Sequence, residues 1–317
     1  MRKHQVFAMD TCFHNSIVGT YPYDVRCEML VELGFDAIYV SLQPDGLHHA
    51  DRMAATKNQY GLEVVAAYAG LDVIAAKDDP KNHEVSELFQ RLPYGCDLEL
   101  TLITSDQSVK PSSIDIDHLA IERLKPLLEV AEKQQAHVCL YPHFGAWLER
   151  VEDGIRLCEN MEHPALKLVF CGFHWYAVEG SNLSQSISSA IPYLHSVNIC
   201  GSSREGDIAG CTIEPLDSGD MDNFSLLGCL HRCGYTGRIG FQGYGIGGDV
   251  YTNLQRSMNA FRSMEKRLSI HPNWGDSFKC GIIKRRRGNW RFLPTLINLP
   301  PDFHHPCRES QNDNRSL

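Results

Sequence analysis

No apolar run approaches the roughly 18 residues that a bilayer-spanning helix needs, so no membrane span is expected. The sequence holds 12 cysteines but no Cys-x-x-Cys and no regular cysteine spacing. That pattern argues against a zinc ribbon, a dithiol redox centre and a disulfide scaffold. Several thiols sit inside apolar runs (Cys139, Cys171, Cys200), where cysteine acts as a small hydrophobe. There is no basic excess either: 30 Lys and Arg against 39 Asp and Glu give a formal charge of −9. An acidic body has no general attraction for nucleic acid. The opening MRKHQVFAMDTCF has only a short apolar stretch ending at Asp10 and reads as a first strand rather than a secretory leader. Reduced thiols and a cytoplasmic setting are the expectation.

What remains is ordinary globular usage: 317 residues, 43% apolar and 22% charged. Charge is uneven along the chain. Residues 266–317 carry ten Lys and Arg against four acids, five prolines and the run KRRRG. The expected division is a folded unit over 1–267 and an irregular basic extension over 268–317 with a disordered tip. Cys229-x-His231-x-Cys233 invites a metal reading. On a helix, however, Cys229 and Cys233 share a face while His231 points elsewhere, so no metal is expected there.

Strand-length apolar runs alternate with amphipathic stretches of helix length. The strand readings are Val6–Met9, Ala37–Leu42, Leu62–Tyr68, Leu98–Ile103, His137–Tyr141, Leu166–Phe170, Leu194–Ile199 and Arg238–Phe241. The helices between and after them begin at Asp24, His49, Asn82, Asp117, Val151, Leu183, Phe224 and Val250, several closing at glycine. The strands are near-continuous apolar runs, as expected when both faces of a parallel sheet are covered. Eight such pairs predict an α/β fold of the (β/α)8 barrel type. A doubly wound open sheet would carry a glycine fingerprint after the first strand, and that is missing.

In such barrels the chemistry sits where strands end at their C-termini. The segments there are rich in polar and aromatic groups: Asp10–His14, Tyr39 and Ser41, Tyr68–Asp72, Tyr141–Gly145, Cys171–Trp175, Asn198–Arg204 and Gln242–Gly248. His143 and His174 follow adjacent strands, and imidazoles suit proton transfer near neutral pH. The GYGIGG loop contains a literal G-x-G-x-x-G, but no strand follows to bring an acid to a ribose, so two readings stand, a flexible glycine turn or backbone N–H groups ahead of the last helix that hold a phosphate or sugar oxygen.

The runs VELGFDAIYV, LYPHFGAWLERVEDGIRLCE and LVFCGFHW, together with LDSGDMDNFSLLGCLHRCGYTGRIGFQ, resemble the sugar phosphate isomerase/epimerase family with the xylose isomerase-like TIM barrel. The resemblance spans roughly residues 5–266 and implies a divalent metal, Mn²⁺ or Mg²⁺. In the family a Glu, an Asp, a His and a Glu from four successive strands hold it. The corresponding residues here are Tyr141, Cys171, Asn198 and Gln242. All four depart from that set, so no metal ligand is assigned and no cofactor is expected, although the resemblance itself implies one. His174 matches a family histidine that contacts substrate oxygen, and Arg204 corresponds to a substrate-binding arginine. The expectation is an isomerase or epimerase acting by proton transfer beside a carbonyl. His143 and His174 are then catalytic, with Tyr141, Cys171, Asn198, Arg204 and Gln242 binding substrate. Two alternatives stand beside it: a non-catalytic carbohydrate-binding barrel, and a polyol or sugar dehydratase or lyase. The expected partner is a small sugar or sugar phosphate, with no nucleic acid and no membrane; homo-oligomer formation stays open.

Overall fold

The computed structural model describes residues 4–17, 19–41, 46–76, 78–178, 181–204 and 210–276. The basic extension from residue 277 onward, including the expected disordered tip, lies outside the described residues.

Eight strands form a closed barrel in chain order, every neighbouring pair parallel, with the last pairing the first. They are β1 (Val6–Met9), β2 (Ala37–Ser41), β3 (Glu63–Asp72), β4 (Asp97–Ile103), β5 (Val138–Leu140), β6 (Leu166–Cys171), β7 (Leu194–Ile199) and β8 (Arg238–Phe241). The helices are α1 (Tyr23–Leu33), α2 (Gly46–Tyr60), α3 (Pro80–Arg91), α4 (Asp117–Gln134), α5 (Val151–Met161), α6 (Gly172–Val178), α7 (Leu183–Ala190), α8 (Asn223–Arg232) and α9 (Val250–Ile270). The (β/α)8 architecture read from the sequence is the one observed. Among the described residues no helix is long and apolar enough to cross a membrane.

The helix starts have side-chain causes. Asp79, Asp222 and Asp249 each accept a backbone N–H in the first turn of α3, α8 and α9, which satisfies donors that a helix otherwise leaves open. Asp79 with Pro80 behind it starts α3 earlier than the Asn82 expected from periodicity. Strand β3 runs on to Asp72, beyond Tyr68, because β4 accompanies it as far as Ile103. Helix α6 was not expected, because GFHWYAV lacks the polar positions that mark a helical period.

Two cores result. One lies between barrel and helices, built from residues such as Leu30, Leu88, Leu124, Leu157, Leu227 and Phe261. The other fills the barrel itself, with Phe7, Met9, Tyr39, Cys139, Tyr141, Val169 and Cys171. The interior is therefore a packed column rather than a pore. At its N-terminal end a buried carboxylate closes the floor. Asp97 receives the backbone N–H of His137 at 2.8 Å and its ring Nδ1–H at 2.9 Å. On the other oxygen it receives His195 Nε2–H at 2.9 Å and Arg238 Nη1–H at 2.5 Å. The opposite end, where all strands terminate, carries the polar groups anticipated from the sequence.

Candidate active site at the barrel mouth

The neutral residues at the ends of β5, β6, β7 and β8 converge. Tyr141, Cys171 and Asn198 are buried, and Gln242 is 9% exposed. Cys171 Sγ–H donates to Gln242 Oε1 at 3.1 Å. Burial pushes the Cys171 thiol up to about 11, against the pull of the neighbouring Tyr141 hydroxyl, so it stays protonated at neutral pH. Gly240 in β8 makes room for the next group: a Cβ there would lie 2.3 Å from both Asn198 Oδ1 and a Phe7 ring carbon. On the near side, Tyr68 donates to Thr101 at 3.0 Å, and Thr101 Oγ1–H donates to the Tyr141 carbonyl at 2.9 Å.

Beneath this ring lies a carboxylate the sequence reading did not single out. Glu99 of β4 is buried, receives Ser196 Oγ–H at 2.6 Å and the Asn198 amide at 3.4 Å, and has the Tyr39 hydroxyl beside it. Burial raises its pKa to about 7, although Ser196, Tyr39 and Asn198 draw it back. The available signal was the alternation in DLELTLI, where leucines at 98, 100 and 102 take one face and the polar Asp97, Glu99 and Thr101 the other, although both faces are buried. The same signal applied to Asp97.

This pKa makes Glu99 a pH-dependent part of the fold. Glutamate in an unfolded chain titrates near 4.3, so the folded protein binds this proton more tightly. The contribution is complete below about pH 4 and is lost as pH rises through 7. A shift of this size is worth on the order of 3 kcal/mol. Glu99→Gln is expected to gain about that much stability relative to the parent between pH 4 and pH 8, read by urea unfolding. A stability difference that does not change with pH would refute a raised Glu99 pKa.

His143 and His174 come together as their adjacent strand ends required, with ring centroids 3.9 Å apart and planes inclined by 40°. Residue Phe144 fixes both rings. Its carbonyl accepts from His143 Nδ1 at 2.8 Å, and its N–H donates to His174 Nδ1 at 3.3 Å. Burial lowers the His143 pKa against the pull of that carbonyl. Burial, and then His143, place His174 well below its ordinary value. Both rings are therefore neutral at pH 7 with opposite tautomers. His143 carries a lone pair on Nε2, and His174 carries a proton on Nε2. Tyr141 and Phe173 flank His174 edge-on at 5.6 and 5.1 Å.

Two further groups sit at the mouth. Asp10, after β1, accepts the Ser41 backbone N–H at 2.8 Å and Ser41 Oγ–H at 3.1 Å, with His14 3.6 Å and Arg26 3.7 Å away. Arg204 lies 4.2 Å over the Tyr176 ring and donates to the Tyr176 carbonyl at 3.0 Å. Tyr176 in turn donates to Asp220 at 2.8 Å. Arg204 is thus tied to the end of α6, the helix that carries His174.

The sequence profile described as xylose isomerase-like TIM barrel matches residues 27–264. The chain belongs to that family. Among solved structures it is similar to 3-keto-D-glucoside 4-epimerase from E. coli at 16% identity and TM-score 0.62, covering 83% of this chain and 99% of that one. It is also similar to D-allulose 3-epimerase from Methylomonas sp. in complex with D-allulose, at 15% identity and TM-score 0.67, covering 83% and 98%. A xylose isomerase-like TIM barrel protein from Mycobacterium smegmatis, solved with magnesium, matches at 16% identity and TM-score 0.60, covering 82% and 96%. At these identities the likeness is one of fold. No curated protein matches the chain in sequence.

The family implies a divalent metal at this mouth, and the donor set here does not suit one. A hard cation takes several oxygens, chiefly carboxylates. Tyr141, Cys171, Asn198 and Gln242, which the resemblance puts at the family's ligand positions, offer a phenol, a protonated thiol and two amides, and Glu99 below them is committed to Ser196 and Asn198.

Proposed function

We propose that this protein is a sugar or sugar-phosphate isomerase or epimerase that moves a proton beside a carbonyl with histidines in place of the family's metal and carboxylates. The observation that carries the reading is the close, tilted pair of neutral imidazoles, one with a lone pair and the other with a hydrogen on Nε2. His143 Nε2 takes the proton from the carbon next to the carbonyl. His174 Nε2–H donates a hydrogen bond to the carbonyl oxygen as negative charge develops there. The His143 imidazolium then returns the proton, either to the neighbouring carbon, with that carbon's partner hydroxyl proton passing to the former carbonyl oxygen, or to the original carbon once the intermediate has turned its other face. Asn198, Gln242, Tyr141 and Cys171 orient hydroxyls, and Arg204 at the rim takes a phosphate or an outer hydroxyl. His174 is set as a donor because its Nδ1 accepts the Phe144 N–H, and the imidazolium formed at His143 and the enediolate beside it offset one another's charge.

A second reading, a carbohydrate-binding barrel without turnover, draws on the Cys171–Gln242 and Glu99–Asn198 pairs, which satisfy one another inside the fold. One experiment separates the two. Ketoses, aldoses and their phosphates are incubated with the protein in D₂O containing EDTA, and exchange at the carbon beside the carbonyl is followed by NMR. The proposal expects deuterium incorporation that survives the chelator. Thermal stabilisation by a sugar without incorporation supports the binding reading, and incorporation that EDTA abolishes overturns the metal-free mechanism.

A further inference from the structure

The helix that carries Cys229-x-His231-x-Cys233 places its histidine at the end of the barrel opposite the mouth. His4 precedes β1, and Gly237 precedes β8. Helices α8 and α9 run back along the strands, so His231 and Glu265, late in each, reach the same N-terminal corner. The His4 imidazole, His231 imidazole and Glu265 carboxylate present ligand atoms that all lie within 4.8 Å of one another. His231 Nε2–H already meets Glu265 Oε1 at 2.9 Å. His4 is 5% exposed, and its Nδ1 donates to the Gly237 carbonyl at 2.9 Å. In the neutral ring that bond leaves the lone pair on Nε2. A backbone carbonyl holding the far nitrogen is how proteins orient a metal-ligating histidine. The His4 ring also stacks on Tyr235 at 5.7 Å, which limits its rotation.

We propose that His4, His231 and Glu265 form a zinc site distinct from the family's site at the mouth. Two imidazoles and one carboxylate suit a borderline ion such as Zn²⁺ rather than Ca²⁺ or Mg²⁺. Tetrahedral zinc with bonds near 2.0–2.1 Å holds its ligands about 3.3 Å apart. Closing from 4.8 Å asks only for side-chain movement. The ion takes the place of the proton on His231 Nε2, which is released to solvent, so binding tightens as pH rises. The fourth position falls to water. The bound ion fastens the lead into the first strand to the last two helices. The other three-ligand grouping among the described residues, Asp97 with Cys139 and His195, is a poorer host. Its carboxylate is taken up by His137, His195 and Arg238, and the guanidinium opposes a second cation.

The test uses the full-length protein, stripped with chelator and dialysed against Zn²⁺ or Co²⁺. One equivalent of Zn²⁺ is expected, with affinity lowered 10-fold or more in His231→Ala and in Glu265→Gln. Both side chains are about one-fifth exposed, and circular dichroism checks that each variant folds. The Co²⁺ form should show tetrahedral visible bands without thiolate charge transfer. Absence of stoichiometric Zn²⁺, unchanged affinity in both variants, or a thiolate band lost with Cys139→Ala would each overturn the assignment.

Discussion

On the proposed mechanism, His143→Asn is expected to lower kcat/KM for proton exchange by about 10²–10⁴-fold, the range that a positioned general base supplies. Asparagine keeps a donor where Nδ1 meets the Phe144 carbonyl and so preserves the turn, but it offers no base. His174→Gln is expected to lose less, because its terminal amide still presents an N–H where Nε2–H stood. This asymmetry tests the two roles separately, and His174→Ala removes the donor outright. The pH profile adds an independent check. If His143 is the neutral base proposed, burial that lowers its pKa should place the acid limb of kcat/KM below the 6.5 of an ordinary histidine. Full activity in both His143→Asn and His174→Ala, or an acid limb above that value, contradicts the assignment.

The barrel and the meeting of His143 with His174 were legible because they follow from periodicity and adjacency. Parallel strands buried on both faces leave long apolar runs, and residues just past neighbouring strands must share the mouth. The placement of Tyr141, Cys171, Asn198 and Gln242 at the mouth was legible too, since each stands at or just past a strand end. What the sequence hid was depth. Glu99 and Asp97 lie two residues apart in one strand, yet one is held with a raised pKa under the mouth and the other is ionised on the floor. Their partners come from β2, β5, β7 and β8, and no local pattern in LELTLI names them. The tautomers were hidden for a similar reason. They depend on which face of the Phe144 backbone each ring meets, and α6, which aims His174, has no helical period of its own.

Asp97→Asn is expected to destabilise the fold by about 3–5 kcal/mol at pH 7, the usual cost of removing one partner from a buried charged network. Burial alone would push the Asp97 pKa up. The His137 and His195 hydrogen bonds and the Arg238 charge outweigh it and hold the carboxylate ionised, well below its ordinary range. Asparagine keeps one acceptor for the two His137 donors but turns an amide toward His195 and Arg238. His195 can shift its proton to the other nitrogen, whereas Arg238 has only donors to offer. The guanidinium then keeps the Val65 carbonyl at 3.0 Å and loses its counter-charge. The loss should show as a lower urea midpoint at unchanged slope. The mouth chemistry is the internal control: kcat in the folded variant should stay near the parent value, because the floor touches neither His143 nor His174. Linkage fixes the sign with pH. A depressed folded pKa means the contribution is whole above the unfolded value near 3.9 and fades as pH falls below it. The gap between parent and variant should therefore narrow under acid conditions and stay level from pH 5 upward. A loss under 1 kcal/mol at pH 7 would mean that the four donors around Asp97 are held by packing rather than by its charge.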